Sequence, residues 1–434
     1  MKDYPQPRAA RTCAALVTGE AQSALRHTAP PIPGRGDRPA GGRAIAWTIK
    51  PLVAAIIAAL AAPALAAPKG GVVVAGSASI GQSGNTTTIN QSGQRVAINW
   101  TNFSVGAGEA VRFKQPNAAA MALNRVTGRE SSAILGSLTA NGQVFIVNPN
   151  GVLFGKGAQV NVGGLVATTL GISNQDFMAG NFRFNGSAGG SVVNEGHITV
   201  APGGKLALIA PLVSNSGTIS APGGSVLLAA AEAVTLTLLD GSPLAYTLDK
   251  GSLQALVDNG GIIQADGGHV VLTAQGVDSL SHAAVNHSGV IEARSVGEKS
   301  GVVELFADKE SGQVNLGGKL DASAPNGGNG GFIETSAAKV IIADSANVTT
   351  LAKSGKTGTW LIDPTDFTVE AGEGPRTVSS IGVGTLTKIL EGSGVTIATD
   401  YPIATAPGGT EQGDITINAP ILWTADTTLT LQAH

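Results

Sequence analysis

A repeat of about 21–22 residues between positions 192 and 345 is the feature that most constrains the fold. One copy begins at Asn194 and reads NEGHITVAPGGKLAL, and a second begins at Asn215 and reads NSGTISAPGGSVLL. A third copy, NGGIIQADGGHVVL, begins at Asn259, 44 residues after the second, so we expect one skipped coil between them. Weaker copies follow near Gly317 and Gly330. Self-similarity at a fixed period of this size indicates a solenoid.

Each copy contains two short alternating stretches joined by a Gly-Gly corner. Alternation at period two places Ile198, Leu206 and Leu208 on one face, and glycine supplies the positive φ angles of a sharp corner. The sequence therefore predicts an all-β fold in which each repeat is one coil of a parallel β-helix. The three asparagines that open the copies are expected to stack as an amide ladder. The alternative, a β-sandwich, would show hairpin signals and no fixed period.

The segments on either side of the regular repeat are also rich in β patterns. Residues 67–190 are less regular, which suits the N-terminal cap and first coils that a solenoid needs to protect its strand edges. Residues 191–350 hold the regular coils, and residues 351–434 resume a looser repeat. Because the chain stops inside an alternating stretch, we interpret it as part of a longer protein.

Residues 1–66 have the features of a leader that is removed on export. A basic flank ending at Lys50 precedes eleven apolar residues at 52–62 and a small-x-small triplet. This pattern is typical of a secretory signal peptide cleaved after Ala66, with Ala64 at the other position that needs a small side chain. The apolar run is too short to span a membrane as a helix. We therefore expect export through the Sec translocon.

Charge and composition exclude several classes of protein. Removing residues 1–66 takes away eight of the 27 Lys and Arg and three of the 30 Asp and Glu, which leaves a net charge of −8. No basic stripe that would neutralise phosphates is visible, so no nucleic-acid partner is expected. The single cysteine, Cys13, lies in the leader, and the remaining chain must fold without disulfides. The 60 glycines of the full sequence argue against a helical bundle, because glycine is unfavourable inside helices.

The string NGQVFIVNPNGVLFGKGAQVNVGGLVATT at 141–169 resembles the secretion domain of the filamentous haemagglutinin family, the large exoproteins of two-partner secretion. The segment at 121–127 and the string WLIDP at 360–364 also resemble family segments. The chain departs from the family pattern at an earlier Asn-Pro-Asn-type site, where it carries Gln-Pro-Asn at 115–117. The candidate secretion-motif residues that the resemblance implies are Asn117, Asn124, Asn148, Pro149, Asn150 and Gly151.

The resemblance implies a right-handed parallel β-helix whose N-terminal module is recognised by an outer-membrane transporter, a β-barrel with periplasmic POTRA domains. The chain would cross the periplasm unfolded and fold outside a Gram-negative cell, remaining secreted or surface-associated. Residues 148–151 suit a tight turn, because Pro presets φ and Asn and Gly accept left-handed geometry. Whether this turn contacts the transporter or only shapes the cap stays open at this point.

The sequence offers no convincing catalytic, cofactor or metal site. Asp363 and Asp366 are the nearest carboxylate pair, and a polysaccharide-degrading β-helix enzyme would need such a pair on one coil face. His282 and His287 are expected in a solvated loop, without further ligand neighbours. We therefore predict a non-enzymatic surface adhesin whose ligand is unknown. The alternatives are a haemolysin, a haem-acquisition protein or a contact-dependent toxin carrier.

Overall fold

The computed structural model describes residues 67–186, 189–239, 241–278, 280–399 and 413–434, and in these ranges the chain winds into stacked coils with three long sheets. In spatial order, sheet 1 contains β1 (Val72–Ala75), β4 (Arg95–Trp100), β6 (Met121–Val126), β9 (Gln143–Val147), β12 (Gly164–Thr168), β16 (Lys205–Ala210), β19 (Ser225–Ala230), β24 (His269–Ala274), β27 (Val302–Ala307), β30 (Phe332–Ser336), β33 (Thr359–Asp363), β36 (Gly394–Ala398) and β38 (Leu429–Gln432). Sheet 2 contains β7 (Ser132–Ile134), β10 (Val152–Phe154), β14 (Ser191–Asn194), β17 (Leu212–Asn215), β22 (Gln254–Asn259), β25 (His282–His287), β28 (Gln313–Leu316), β31 (Lys339–Ile342), β35 (Ser380–Gly382), β34 (Phe367–Glu370) and β37 (Ile415–Ile417).

Sheet 3 closes each coil, and a smaller antiparallel sheet lies outside the solenoid. In spatial order, sheet 3 contains β2 (Ala78–Ser83), β3 (Thr86–Gln91), β5 (Ala110–Lys114), β8 (Ser137–Ala140), β11 (Gln159–Val162), β15 (His197–Val200), β18 (Thr218–Ser220), β23 (Ile262–Gln264), β26 (Val290–Glu292), β29 (Lys319–Asp321) and β32 (Asn347–Thr349). The outer sheet contains β13 (Phe182–Asn185), β20 (Ala233–Thr237) and β21 (Ala245–Lys250). The two helices of the described ranges are α1 (Asn174–Ala179) and α2 (Val383–Leu390).

Parallel pairing between equivalent residues confirms the predicted β-helix. Ile198 of β15 lies opposite Ile219 of β18, which lies opposite Ile263 of β23. All three side chains are buried, and they belong to one hydrophobic core that follows the length of the solenoid. Each coil therefore stacks its inward apolar side chains on those of the coils above and below it.

The N-terminal end of the solenoid is capped by antiparallel strands. β1 pairs antiparallel with β4, and β2 pairs antiparallel with β3. From β4 and β3 onward the three long sheets continue by parallel pairing. The less regular sequence of the first coils thus corresponds to the cap that the repeat pattern required.

The two glycines of a Gly-Gly corner are needed for different reasons, the first for its positive φ and the second for close packing between coils. Gly223 has a φ of 60° and open space where a Cβ atom would lie, so it supplies the left-handed turn. Gly224 has an ordinary φ, but a Cβ atom there would overlap the carbonyl oxygen of Gly204 in the preceding coil. Similar close approaches recur at this corner between sheets 3 and 1, and they form a column at Gly163, Gly204, Gly224, Gly268, Gly331 and Gly358. We expected both glycines of each pair to be needed for φ, and for the second one the physical reason is backbone packing.

The predicted amide ladder is present and fully buried. Asn194 Nδ2 donates to Asn215 Oδ1 at 2.8 Å, and Asn215 Nδ2 donates to Asn259 Oδ1 at 2.7 Å. The next rung is His287, whose Nδ1 lies 3.0 Å from Asn259 Nδ2. The prediction of a solvated loop at His282 and His287 is wrong, because both residues lie in β25 and His287 is buried.

The 44-residue spacing between the second and third copies is not a skipped coil. β17 pairs directly with β22, and β19 pairs directly with β24. The additional residues form the β20–β21 hairpin of the outer sheet, which the antiparallel pairing of Thr235 with Thr247 defines. Periodicity alone could not distinguish a coil without its motif from a hairpin that leaves the solenoid.

A second hydrophobic cluster fixes the outer sheet and α1 to the outer face of sheet 1. Phe145 of sheet 1 stacks on Phe182 of the outer sheet at a centroid distance of 5.5 Å, and Phe177 of α1 packs edge-on against Phe145 at 5.3 Å. Ser173 caps α1 by accepting a hydrogen bond from the Asp176 amide. Neither α1 nor α2 is predicted from the sequence, because both are short insertions between strands.

Candidate functional site

The Asn148–Gly151 segment forms the tight turn that its sequence predicts, between β9 and β10. The Gly151 amide donates to the Asn148 carbonyl at 3.0 Å, and the Asn150 amide donates to Asn148 Oδ1 at 3.0 Å. Gly151 has a φ of 113°, a left-handed value that favours glycine. The turn carries the chain from sheet 1 to sheet 2.

Asn148 joins two coils through its side chain. Its Nδ2 atom donates to the carbonyl of Glu130 and to Oγ of Ser132, each at 3.0 Å, and the residue is buried. Its amide donates to the Thr168 carbonyl of the following coil at 3.0 Å. Replacing Asn148 would therefore leave buried polar groups without partners, which costs about 1–3 kcal/mol for each group.

Pro149 and Asn150 present the exposed part of the same turn. Asn150 Nδ2 donates to the Gly128 carbonyl at 3.0 Å and to Asn148 Oδ1 at 3.1 Å. These bonds hold the Asn150 side chain against the preceding coil while the residue remains exposed. The motif thus has a buried half that stabilises the coils and an exposed half that a partner could reach.

Asn124 lies in the core of the first coils. Its Oδ1 atom accepts a hydrogen bond from Trp100 Nε1 at 3.0 Å, and its Nδ2 atom lies 3.2 Å from the carbonyls of Ala122 and Phe145. Both Trp100 and Asn124 are buried. In the folded chain Asn124 is therefore inaccessible to a partner, and its side chain stabilises the first coils.

Asn117 lies in an exposed turn at the opposite end of the sheet 1 strands. Its Oδ1 atom accepts from the Ala119 amide at 3.0 Å. Asn117 precedes β6, whereas Asn148 follows β9, so the candidate residues do not converge on one surface. The structure places them at two corners and in the core.

Gln115, the departure from the family pattern, is part of a buried amide cluster that the sequence analysis missed. Gln115 Nε2 donates to Gln91 Oε1 at 3.0 Å, and the Gly142 amide donates to Gln115 Oε1 at 2.9 Å. The Gln115 amide donates to Asn141 Oδ1 at 2.8 Å, and Asn141 Nδ2 donates back to the Gln115 carbonyl at 2.8 Å. Amide side chains before the corners of successive coils were the signal that could have identified it.

Arg125 connects the first coils to α1. Its guanidinium donates to Asn99 Oδ1 at 3.1 Å, to Asn174 Oδ1 at 2.7 Å and to the Ile172 carbonyl at 2.5 Å. Partial burial lowers the pKa of Arg125 from its usual value, and neutral acceptors bind both of its terminal nitrogens. This arginine is a further structural element of the segment that resembles the family.

The other residues and features considered from the sequence are the signal-cleavage alanines, the carboxylate pair, metal ligands and membrane-spanning helices. Ala64 and Ala66 lie outside the described residues. Asp363 forms an ion pair with Lys309, and Asp366 accepts a hydrogen bond from the Asp414 amide at 2.8 Å. Across the part of the chain that the structure describes, no group of three or more His, Cys, Asp or Glu side chains could hold a metal ion. In the same ranges, no helix has the length and hydrophobicity needed to cross a membrane.

Comparison with known proteins identifies the family. The model of the TPS (two-partner secretion) secretion domain matches residues 64–322, which is more than half of the chain. The chain belongs to the TPS secretion domain family. This match confirms the resemblance drawn from residues 141–169. Exoproteins of this family are secreted across the outer membrane of Gram-negative bacteria with a cognate outer-membrane transporter.

Two curated relatives share one name. A heme/hemopexin-binding protein of Haemophilus influenzae (strain Rd) is 37% identical over 264 residues, which cover 58% of this chain and 28% of the relative. A second heme/hemopexin-binding protein of Haemophilus influenzae is 43% identical over 97 residues, covering 22% of this chain and 10% of the relative. The matched part of the chain thus spans less than a third of the length of these relatives.

A solved structure has the same fold. The HMW1 secretion domain from Haemophilus influenzae matches 81% of this chain and all of its own length, with a TM-score of 0.58 and 26% identity. The parallel β-helix is therefore shared with a known secretion domain.

Proposed function

We propose that this chain directs the export of a surface exoprotein and contributes the first coils of its adhesive β-helix. The observation that carries the proposal is the secretion-domain match over residues 64–322, together with a solenoid that continues beyond it without a break in sheet 1. On this account residues 1–66 bring the chain to the Sec translocon, and cleavage follows Ala66. The POTRA domains of the partner transporter then bind the unfolded N-terminal region, and its β-barrel releases the chain outside.

The topology supports folding in step with release. In sheets 1 and 3 the strand pairs beyond the cap join neighbouring coils, so each coil has a template as soon as the preceding coil has formed. Contacts that are close in sequence form fast and need no completed C-terminal part. Folding on the outer side would then favour onward movement of the chain, because a folded coil cannot return through the pore. The cysteine-free sequence after the leader avoids disulfide cross-links in the periplasm.

Two substitutions in the Asn148–Gly151 turn can distinguish a role in transporter recognition from a role in folding. Asn148→Ala is expected to weaken the folded coils, whereas Asn150→Ala removes an exposed amide with one bond to the preceding coil and one within the turn. If the transporter recognises the motif, Asn150→Ala lowers secretion while the purified variant refolds with nearly the wild-type free energy of unfolding. Normal secretion of both variants would eliminate the targeting role and leave the motif a structural turn.

Adhesion is the activity that we propose for the exported protein, and binding of haem or hemopexin is the second candidate. The second candidate is favoured by the 37% identity to a relative described as a heme/hemopexin-binding protein. The haemolysin and toxin-carrier alternatives have no comparable observation in their favour. We infer no enzymatic role, since Asp363 is ion-paired with Lys309 and Asp366 bonds a backbone amide. Binding of the purified protein to epithelial cells, to hemopexin and to haem distinguishes the two candidates.

Deletion of the cognate transporter gene in the native bacterium tests the export function. We expect the protein to disappear from the medium and the cell surface and to be degraded in the periplasm. Complementation with the transporter gene should restore it. Unchanged surface levels in the deletion strain would contradict the proposal.

A further inference from the structure

The outer face of sheet 1 is covered for only part of its length. From β4 to β24 the central outward column is apolar and buried, and it includes Leu123, Phe145 and Val271. The outer sheet and α1 lie over this part of the column through the second hydrophobic cluster. Sheet 1 then continues through β27, β30 and β33, beyond the last strand of the outer sheet.

β21 is the last strand of the outer sheet on this side. It pairs with β20, and among the described residues no strand pairs with its other edge. Tyr246 and Leu248 point inward and pack against the second cluster, while Thr247 is exposed. An exposed strand edge has unpaired backbone donors and acceptors that can bind an added strand.

The central column changes from apolar to acidic where the cover ends. Val271 of β24 lies opposite Glu304 of β27, Glu304 lies opposite Glu334 of β30, and Glu334 lies opposite Leu361 of β33. Glu304, Glu334 and Leu361 are half-buried rather than fully exposed. Phe306 packs against the edge of the second cluster and continues the apolar surface beside the glutamates.

The hydrogen-bond donors to the two glutamates are a histidine ring and a neutral hydroxyl. Glu304 accepts from His269 Nε2 at 2.8 Å, and Glu334 accepts from the Ser336 hydroxyl at 2.7 Å. The positive charge of Lys309 acts to lower the pKa of Glu334, and Lys309 also forms an ion pair with Asp363. Burial raises the pKa of Glu334, and the neighbouring charge of Glu304 adds to this rise. Like charges directly opposite on adjacent strands destabilise a sheet unless a cation lies between them.

We propose that this shelf, formed by the free edge of β21 and by Glu304, Phe306 and Glu334, binds an extended cationic segment of a partner protein as an additional strand. Main-chain bonds to β21 would supply the pairing, as in other complexes formed by strand addition. Alternate side chains of the added strand would point toward sheet 1, where Lys or Arg side chains would meet the glutamates and lay their aliphatic stems against Phe306. The negative charge of the shelf disfavours nucleic acid and anionic lipid as occupants.

Peptide binding to the purified chain of residues 67–434 tests the proposal. The probe is a fluorescein-labelled ten-residue peptide of alternating Lys and Val, with an alternating Glu and Val peptide as the charge control. We expect saturable binding of the Lys–Val peptide only, weakened about fivefold or more by Glu304→Gln together with Glu334→Gln. The matched control, Glu298→Gln together with Glu373→Gln, removes two exposed charges elsewhere and should leave the affinity unchanged.

Cysteine mapping locates the bound peptide. Because the sequence from residue 67 onward contains no cysteine, Thr247→Cys on β21 creates a single thiol, and Thr199→Cys on the exposed face of β15 is the control. A Lys–Val peptide with one thiol should form a disulfide with Thr247→Cys and not with Thr199→Cys. A peptide methylated at alternate backbone nitrogens should bind at least tenfold more weakly. Equal binding of the Glu–Val peptide, indifference to the glutamate substitutions, or equal cross-linking at both cysteines would overturn the proposal.

Discussion

Asn259 ends the buried amide ladder on a histidine: its Nδ2 atom donates to Nδ1 of His287, 3.0 Å away on the next coil. On the other side of the ring, His287 Nε2 donates to the Lys319 carbonyl at 3.1 Å. Since Nδ1 accepts and Nε2 donates, the ring is held as one neutral tautomer. A proton on Nδ1 would face the Asn259 amide donor inside a buried corner.

Stability should therefore depend on pH through His287. Burial lowers the pKa of His287 to about 4, although the bonds to Lys319 and Asn259 raise it, whereas an unfolded histidine titrates near ~6.5. Below pH ~6.5 the histidine of the unfolded chain is protonated, whereas His287 of the folded chain stays neutral down to about pH 4. The contribution of neutral His287 to the free energy of unfolding is therefore complete above pH ~6.5 and is lost as the pH falls toward about 4. The difference corresponds to about 3 kcal/mol.

Urea unfolding at pH 7.5 and at pH 4.5 measures this effect. In His287→Asn the ladder keeps an amide acceptor without a titrating ring, and the fall in the free energy of unfolding should be smaller by about 2–3 kcal/mol than in wild type. His282→Asn, at the exposed end of the same strand, is the control and should behave as wild type. Equal pH dependence in His287→Asn and wild type would refute this assignment.

Removing one asparagine of the ladder should lower the free energy of unfolding by more than one hydrogen bond contributes, because two buried groups lose their partners. Asn215→Ala leaves the Asn194 donor and the Asn259 acceptor without partners in a buried corner. We expect the free energy of unfolding to fall by about 2–4 kcal/mol. Ser220→Ala, on the outer face of the neighbouring β18, should change it by less than about 0.5 kcal/mol. Chemical denaturation of the two variants checks the difference, and similar values for both would contradict it.

The two glycines of one corner should respond differently to alanine. Gly224→Ala places a Cβ atom against the backbone of Gly204, and one of the two coils must move. Gly223→Ala meets open space and costs only the left-handed backbone energy, about 1–2 kcal/mol. We expect Gly224→Ala to be the more destabilising by at least about 2 kcal/mol. Thermal unfolding followed by circular dichroism shows which variant is less stable. If Gly223→Ala were the less stable, the left-handed φ rather than close packing would be the main requirement for glycine at this corner.

The regular parts of the fold could be predicted because equivalent positions in successive coils have the same surroundings and therefore the same residue types. The positions of Asn194, Asn215 and Asn259 in the repeat place them at equivalent corners, and parallel stacking then requires their amides to meet. His287 escaped prediction because the fourth rung uses another residue type, and nothing local distinguishes a buried imidazole from a solvated one. The β20–β21 hairpin escaped because it interrupts the period without following a period of its own.

The candidate site was only partly accessible from the sequence. The turn at 148–151 follows from the conformational preferences of Pro, Asn and Gly. The split between a buried Asn148 and an exposed Asn150 depends on the neighbouring coil, whose Glu130 carbonyl and Ser132 hydroxyl are 16 or more residues away. Such long-range partners determine which asparagine is exposed in the folded turn, and single-sequence patterns do not reveal them.

Export in a heterologous host is the most direct test of transporter-dependent secretion of this chain. The chain is expressed with its leader in a Gram-negative strain that lacks two-partner systems, with or without its cognate transporter, and the medium is assayed for the protein. We predict protease-resistant, β-rich protein in the medium only when the transporter is present. Release to the same extent without the transporter, or retention in the periplasm beside a transporter that exports a control substrate, would contradict the central claim.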